Sequence, residues 1–369
     1  MNLFKTYLLP LFIFSVFLIV AVWCGIGETY DSHQYVSAAK SFSQSGILKQ
    51  ADGTAFTEWP PLYPVMLSLF NHINGWATVI NLVCLLASIY LWINIAKEYL
   101  KESLLIYGLS LALSTSFLMI GSFLWSESLF LLFLSLYLRL LQLYFKTEDN
   151  KWLMIASFIG FLMLLTRNAG VPFVAGTSLA FLTSAKLKKI SALKFLVAHI
   201  LIVISGLAWW NYHVHKTIEL TGLRTSLFTN LNPLVNELSY WFFPELSLSP
   251  LKWLLIVAVV FAMVLVHQKT KSIFIKLLIY QTAIYCCMFT VLLYDFSEMS
   301  RLMAVLYPSI MLLVFMILEL LISRYPARKK ILIIAAALWL SYPLVRIGHN
   351  ALNFHRNNCS ATTASLFNF

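Results

Sequence analysis

Charge is what this sequence has least of. Only 11% of its 369 residues are Asp, Glu, Lys or Arg, while 60% are hydrophobic and the mean hydropathy is +0.81. Soluble domains carry about 25% charged residues, so a soluble globule is excluded. Acids are scarcer than bases, 15 against 26, which leaves a net charge of +11. The bases are scattered over short loops and form no aromatic-interleaved patch, so a nucleic-acid partner is not expected. Cysteine is also sparse: Cys24, Cys84, Cys286, Cys287 and Cys359 show no C-x-x-C and no metal-ligand spacing. They read as small apolar packing residues. Internal repeats, low-complexity stretches and domain boundaries are lacking too. One transmembrane domain is expected over 1–347, with 348–369 as a loose C-terminal outer tail.

Long apolar runs are what the sequence does have. The first, YLLPLFIFSVFLIVAVWC (7–24), is too long for a signal-peptide core and has no small-x-small cleavage site, so it reads as an uncleaved transmembrane helix. Further runs lie near 76–96, 104–122, 124–145, 152–170, 171–185, 193–212, 251–267, 273–294, 302–322 and 331–347. The expectation is an all-α polytopic membrane protein with about eleven transmembrane helices. Arg167, Asn168, Gly170 and Pro172 split 152–185 into two short helices. With Lys5 in the cytoplasm, alternation puts most of the bases in inside loops, as the positive-inside rule requires. Two outer loops are long, 26–75 and 213–250, so function is expected on the outer face.

In the first of these loops, GETYDSHQYVSAAKSF (27–42) places Asp31, Tyr35, Ala38 or Ala39, and Phe42 at helical spacing. A short amphipathic surface helix fits, with Asp31 in its first turn and either Thr29 or Asp31 available as its cap. EWPPLYP (58–64) follows, and its prolines stiffen the chain before another helix that starts at Tyr63 or Pro64. Trp59 and Tyr63 suit the headgroup level, as do Trp209, Trp210 and Trp241. Glu127 enters an apolar helix in LWSESLF, where an unpaired carboxylate costs about 3 kcal/mol, so it needs a partner such as Arg167 or Arg301. Those two arginines sit at outer helix ends, where they either snorkel or hold an anion. His33, His72 and His213 lack companions at ligand spacing, so no metal site is expected.

The topology gathers Asp31, Glu58, Glu127, Arg167 and Arg301 at one depth on one face. With TYDSHQYVSAAKSFSQSG, WPPLYPVML, SESLF, TRNAG and RLMAVLYP in this order, the sequence resembles the GT-C superfamily of membrane glycosyltransferases. That superfamily includes the protein mannosyltransferase, aminoarabinose transferase and lipopolysaccharide-core transferase families. The resemblance covers most of 1–310. It implies a bacterial inner-membrane enzyme that moves a sugar, with inversion, from a polyprenyl-phosphate donor to a hydroxyl on a lipid, glycan or protein acceptor. Asp31 matches the acidic residue assigned as base. Arg167, Arg301, Glu127 and Glu58 are then candidates for binding the donor phosphate or the acceptor, and Tyr35, Trp59 and Tyr63 for sugar or lipid contacts. Family members often carry a second acid where Ser32 stands, so no cofactor is expected and metal dependence stays open. Two other classes compete: a secondary transporter, disfavoured because its charges would lie at the midplane of repeated halves, and a noncatalytic assembly protein.

Overall fold

A computed structural model describes residues 4–183, 190–213, 230–244, 249–291 and 298–367. Within them the chain is helical apart from connections and two isolated bridges. Eight helical segments are long and apolar enough to cross a membrane: Phe4–Ala21, Ile73–Ala96, Leu104–Ser122, Glu127–Thr147, Pro250–Lys269, Ile273–Thr290, Met299–Arg324 and Pro326–Ser360. Three shorter apolar helices, Asn150–Thr166, Asn168–Leu182 and Leu196–Trp210, take the remaining expected places. Helices answer the bilayer's demand that backbone polar groups be satisfied within the segment. Part of the long outer loop expected at 213–250 (214–229 and 245–248) lies outside the described residues.

In chain order the helices are α1 (Leu9–Ala21), α2 (Tyr30–Ser45), α3 (Leu62–Ser68), α4 (Ile73–Ala96), α5 (Leu104–Ala112) and α6 (Thr115–Ser122). There follow α7 (Glu127–Thr147), α8 (Asn150–Thr166), α9 (Val171–Leu182), α10 (Ile190–His213), α11 (Leu231–Tyr240) and α12 (Ser249–Lys269). The chain continues with α13 (Ile273–Val291), α14 (Met299–Met303), α15 (Tyr307–Arg324), α16 (Lys329–Trp339) and α17 (Ser341–Phe367).

The first outer loop is stitched to the α6–α7 connection at Gly27. Its N–H donates to the Ser122 carbonyl at 2.8 Å, and its own carbonyl accepts from Leu124 at 2.9 Å. Only glycine permits this approach, since an added Cβ would meet the Phe123 ring at 2.7 Å. Two residues on, Thr29 is the N-cap of α2, and its N–H donates to Ser32 Oγ at 2.9 Å. Ser32 in turn donates to the Leu124 carbonyl at 2.9 Å, and the Trp125 indole N–H donates to Thr29 Oγ1 at 2.8 Å. Because Thr29 does the capping, Asp31 is left for other contacts. The expected buried face of α2 is present: Tyr35, Ala38 and Ala39 pack with Phe56, Tyr63 and Leu67 in a small core beneath the loop. Helix α3 starts at Leu62, one residue before Tyr63 and two before Pro64, the expected starts.

Two expectations about the chain's end are corrected. Cys24 and Cys359 are not packing residues but are joined by a disulfide across 335 residues of sequence. Residues 348–367 are not a loose tail either: they lie in α17, which runs to Phe367, and Asn358 donates to the carbonyls of Ala21 and Gly25. So remote a pairing leaves no spacing signal. Alkylation of the denatured, unreduced protein should add three labels, at Cys84, Cys286 and Cys287, and prior reduction should raise the number to five. Five labels before reduction would contradict the pairing.

At the other end of the bundle, Glu319 on α15 covers the start of α5. Its Oε1 accepts from the N–H groups of Lys101, Glu102 and Ser103 at 3.0, 2.8 and 2.8 Å, and from the Ser103 hydroxyl at 2.8 Å. A carboxylate over the free N–H groups of a helix start is favourable both as hydrogen-bond acceptor and by the helix dipole. Glu319→Ala should lower stability by about 2 kcal/mol, read as a lower unfolding temperature in detergent.

Candidate active site

Four chain segments bring the site together. Asp31 and Glu127 each lie in the first turn of a helix, α2 and α7, where the dipole favours negative charge. Arg167 stands in extended conformation (φ −154°, ψ 137°) at the C-terminal end of α8, where it favours positive charge. The helix stops there because the turn Asn168–Gly170 and Pro172 at the start of α9 redirect the chain. Arg301 lies on α14, just before the long helix α15.

These charges form one cluster centred on Arg301, whose side chain is only 3% exposed. Its Nη2 donates to Asp31 Oδ2 at 2.6 Å, its Nη1 to Glu298 Oε1 at 3.0 Å and its Nε to Glu127 Oε1. The face of the guanidinium lies 4.3 Å from the centroid of the Trp125 ring. Three carboxylates thus converge on one cation, each of whose three nitrogens donates to one of them. Glu127, 1% exposed, also pairs with Arg167 Nη1 at 2.6 Å, so it bridges both arginines. Arg167 Nη1 donates in addition to Ser126 Oγ at 3.0 Å, and Ser126 lies 3.2 Å from the Tyr35 hydroxyl. Among the described residues the Nε and Nη2 donors of Arg167 have no partner, and neither has Asp31 Oδ1.

Beside the cluster is a cavity of about 250 Å³, walled by Asp31, Tyr35, Trp59, Arg167 and Phe289, with Glu58 exposed at its edge. Trp59 is half-buried and stacks obliquely with Tyr35 (5.8 Å between centroids), Phe56 (5.8 Å) and Tyr30 (6.3 Å), which makes an aromatic wall. Burial holds the Tyr35 phenol protonated, well above the ordinary tyrosine range. Burial likewise raises the Glu298 carboxyl, although Arg301 acts against it.

The structure therefore brings together Asp31, Tyr35, Glu58, Trp59, Arg167 and Arg301 around one cavity, with Glu127 behind them. Tyr63 is not on the wall. It is fully buried behind Tyr35, edge-on at 5.0 Å. Ser32 is buried and faces the α6–α7 connection, away from the cavity. His33 lies on another side of α2, 3.4 Å from Glu28, and lines a separate depression with His72. Trp210 and Trp241 are buried, Trp209 is half exposed, and the His213 side chain is outside the described residues. Sequence reasoning passed over Glu298, Ser126 and Trp125 as site residues. Glu298 carried a usable signal, being three residues before Arg301 on a helix. Ser126 and Trp125 carried one only through their adjacency to Glu127.

No protein-family model matches the sequence, and neither does any curated protein. Solved structures do match. ArnT from Cupriavidus metallidurans bound to undecaprenyl phosphate superposes with a TM-score of 0.66 at 11% identity, over 97% of this chain and 78% of ArnT. Apo ArnT gives 0.64 at 13% identity, over 95% and 77%. The chain has the fold of ArnT. In this architecture the stretch between the first two long apolar segments carries helices α2 and α3. At this level of identity the likeness concerns the fold and not the chemistry.

Proposed function

We propose that this protein is an inverting glycosyltransferase that moves a sugar from a polyprenyl-phosphate-linked donor to a hydroxyl acceptor at the outer face of a bacterial inner membrane. The observation that carries the reading is the cavity itself. One carboxylate oxygen of Asp31 is fixed by Arg301, the other has no partner, and Arg167 offers unpartnered donors from the same wall. The ArnT fold, seen with undecaprenyl phosphate in ArnT itself, supports a donor of the same lipid class.

In this reading Asp31 Oδ1 takes the acceptor's O–H proton as its oxygen attacks the anomeric carbon opposite the phosphate. The bond from that carbon to the phosphate oxygen breaks, and polyprenyl phosphate leaves as a monoester dianion. Arg167 neutralises the charge that grows on it, the guanidinium fork matching phosphate oxygens. Arg301 and Glu127 are positioning residues: Arg301 holds Asp31, and Glu127 holds both arginines. Glu58 at the edge and Trp59 on the wall are placed to meet the sugar or the acceptor. The disulfide Cys24–Cys359 at the end of α1 supports an oxidising outer compartment on this side, with the N-terminus cytoplasmic.

The test is to incubate purified protein with a panel of polyprenyl-phosphate sugars and hydroxyl acceptors, follow donor consumption by mass spectrometry and assign the product anomer by NMR. Consumption of a donor with inverted configuration is expected. Arg167→Ala should raise the donor KM by roughly tenfold, the loss of one charge-assisted contact. Failure to bind or consume any member of the panel would remove the transferase reading, and retained configuration would remove single displacement.

A further inference from the structure

Away from the carboxylate cavity, α12, α15 and α16, with Phe242 and Phe243 just past the end of α11, border a cleft of about 440 Å³. Its lining is almost wholly apolar, with Leu255, Ala258 and Ala262 of α12 facing Met311 and Phe315 of α15 and Ala335 of α16. The small alanines leave room there. Helix α12 also turns Leu254, Val257 and Phe261 outward, so the cleft opens toward lipid.

Two cations stand at one end of this cleft. Lys252 precedes Leu255, Val259 and Ala262 on one face of α12, a turn above the lining. Its Nζ is 5.8 Å from the Tyr240 ring centroid, and the Arg346 guanidinium is 5.5 Å from the same ring. Tyr240 leads directly into Phe242 and Phe243, which line the cleft, and the Trp339 indole donates to the Phe242 carbonyl at 2.9 Å. Lys252 donates to Asn236 Oδ1 at 3.1 Å, and Arg346 donates to the Tyr240 carbonyl and, at 3.4 Å, to the Tyr342 hydroxyl. Among the described residues no carboxylate pairs with either cation. Glu237 on α11 is engaged instead by Ser300 and by Trp241.

We infer that this is a binding site for an anionic two-chain phospholipid of the surrounding leaflet. Its phosphate lies against Lys252 and Arg346, and one acyl chain lies in the cleft. Two positive charges that pair with no carboxylate among the described residues suit an anionic headgroup and disfavour one that brings its own cation. Length sets the chain type. From Lys252 to Ala262 helix α12 rises roughly 15 Å, half of a hydrocarbon core about 30 Å thick. An acyl chain fits one leaflet, whereas a polyprenyl chain is several-fold longer and overruns it. The site is separate from the proposed donor cavity and does not depend on the transferase reading.

The test is native mass spectrometry of the full-length protein in detergent, titrated with dioleoyl phosphatidylglycerol, dioleoyl phosphatidylcholine and undecaprenyl phosphate. Phosphatidylglycerol should bind more tightly than phosphatidylcholine. Lys252→Ala or Arg346→Ala should each weaken it about fivefold, and the double variant about thirtyfold. Ala258→Phe, which fills the cleft and leaves both cations in place, should also weaken it, while gel filtration and unfolding temperature report that each variant is folded. Equal affinity for the two phospholipids, or wild-type affinity in the folded double variant, would overturn the proposal. So would undecaprenyl phosphate binding that alone responds to these substitutions.

Discussion

Asp31→Asn is expected to lower sugar transfer by roughly 10²–10⁴-fold, the usual contribution of a positioned general base. The amide is close in size to the carboxylate and its oxygen can still accept from Arg301, so the guanidinium stays anchored by Glu127 and Glu298. Expression, membrane insertion and donor binding should therefore change little, and the loss should fall on kcat. Asp31→Glu keeps the base but moves it by a methylene, away from the oxygen position that Arg301 now fixes at 2.6 Å, and should recover only part of the rate. Measuring donor binding and single-turnover transfer separately decides the matter. Wild-type turnover in Asp31→Asn would take Asp31 out of the chemistry. A fall in donor binding without a fall in turnover would make it a binding residue.

The second large effect is on folding. Glu127→Ala removes the one carboxylate that lies between two guanidiniums, leaving Arg301, 3% exposed, and Arg167, 15% exposed, without the charge that separates them. Breaking one side of a buried pair costs about 3–5 kcal/mol, mostly the penalty of a buried charge left uncompensated. The variant should accumulate poorly and unfold well below the wild-type temperature in detergent. Glu127→Gln keeps the volume and one acceptor and should lie between the two. Replacing both, Glu127→Met with Arg301→Met, should not restore the stability, since Arg301 also offsets Asp31 and Glu298 and Glu127 also offsets Arg167, and all three lose their partner. It should regain no activity, because Asp31 then has nothing to hold it. Wild-type unfolding of Glu127→Ala would show that the cluster is solvated and not a buried network.

The arrangement gives Arg301 a different part from the one its sequence position suggests. An arginine at an outer helix end reads equally well as a phosphate ligand or a snorkelling residue. Here all three of its donor nitrogens meet carboxylates. Positive charge is thus built in where three acids converge, and the residue with donors to offer a ligand is Arg167. Glu127 shows the same point from the other side, since its depth in an apolar helix announces a partner but not which arginine supplies it. It takes both.

The sequence by itself determined the membrane class, the eleven apolar segments, the surface helix with Asp31 in its first turn and the need of Glu127 for a counter-charge. These follow from composition, hydrophobic periodicity and the cost of a charge in hydrocarbon, which are local properties of the chain. Only the tertiary structure decided which arginine holds Asp31, that Tyr63 stands behind the wall and not on it, that Glu298 joins the cluster, and that Cys24 pairs with Cys359. Each of those depends on contacts between residues far apart in sequence or on the direction of one side chain. The close approach at Gly27, which sets α2 against the start of α7, is made by packing and leaves no periodicity to read.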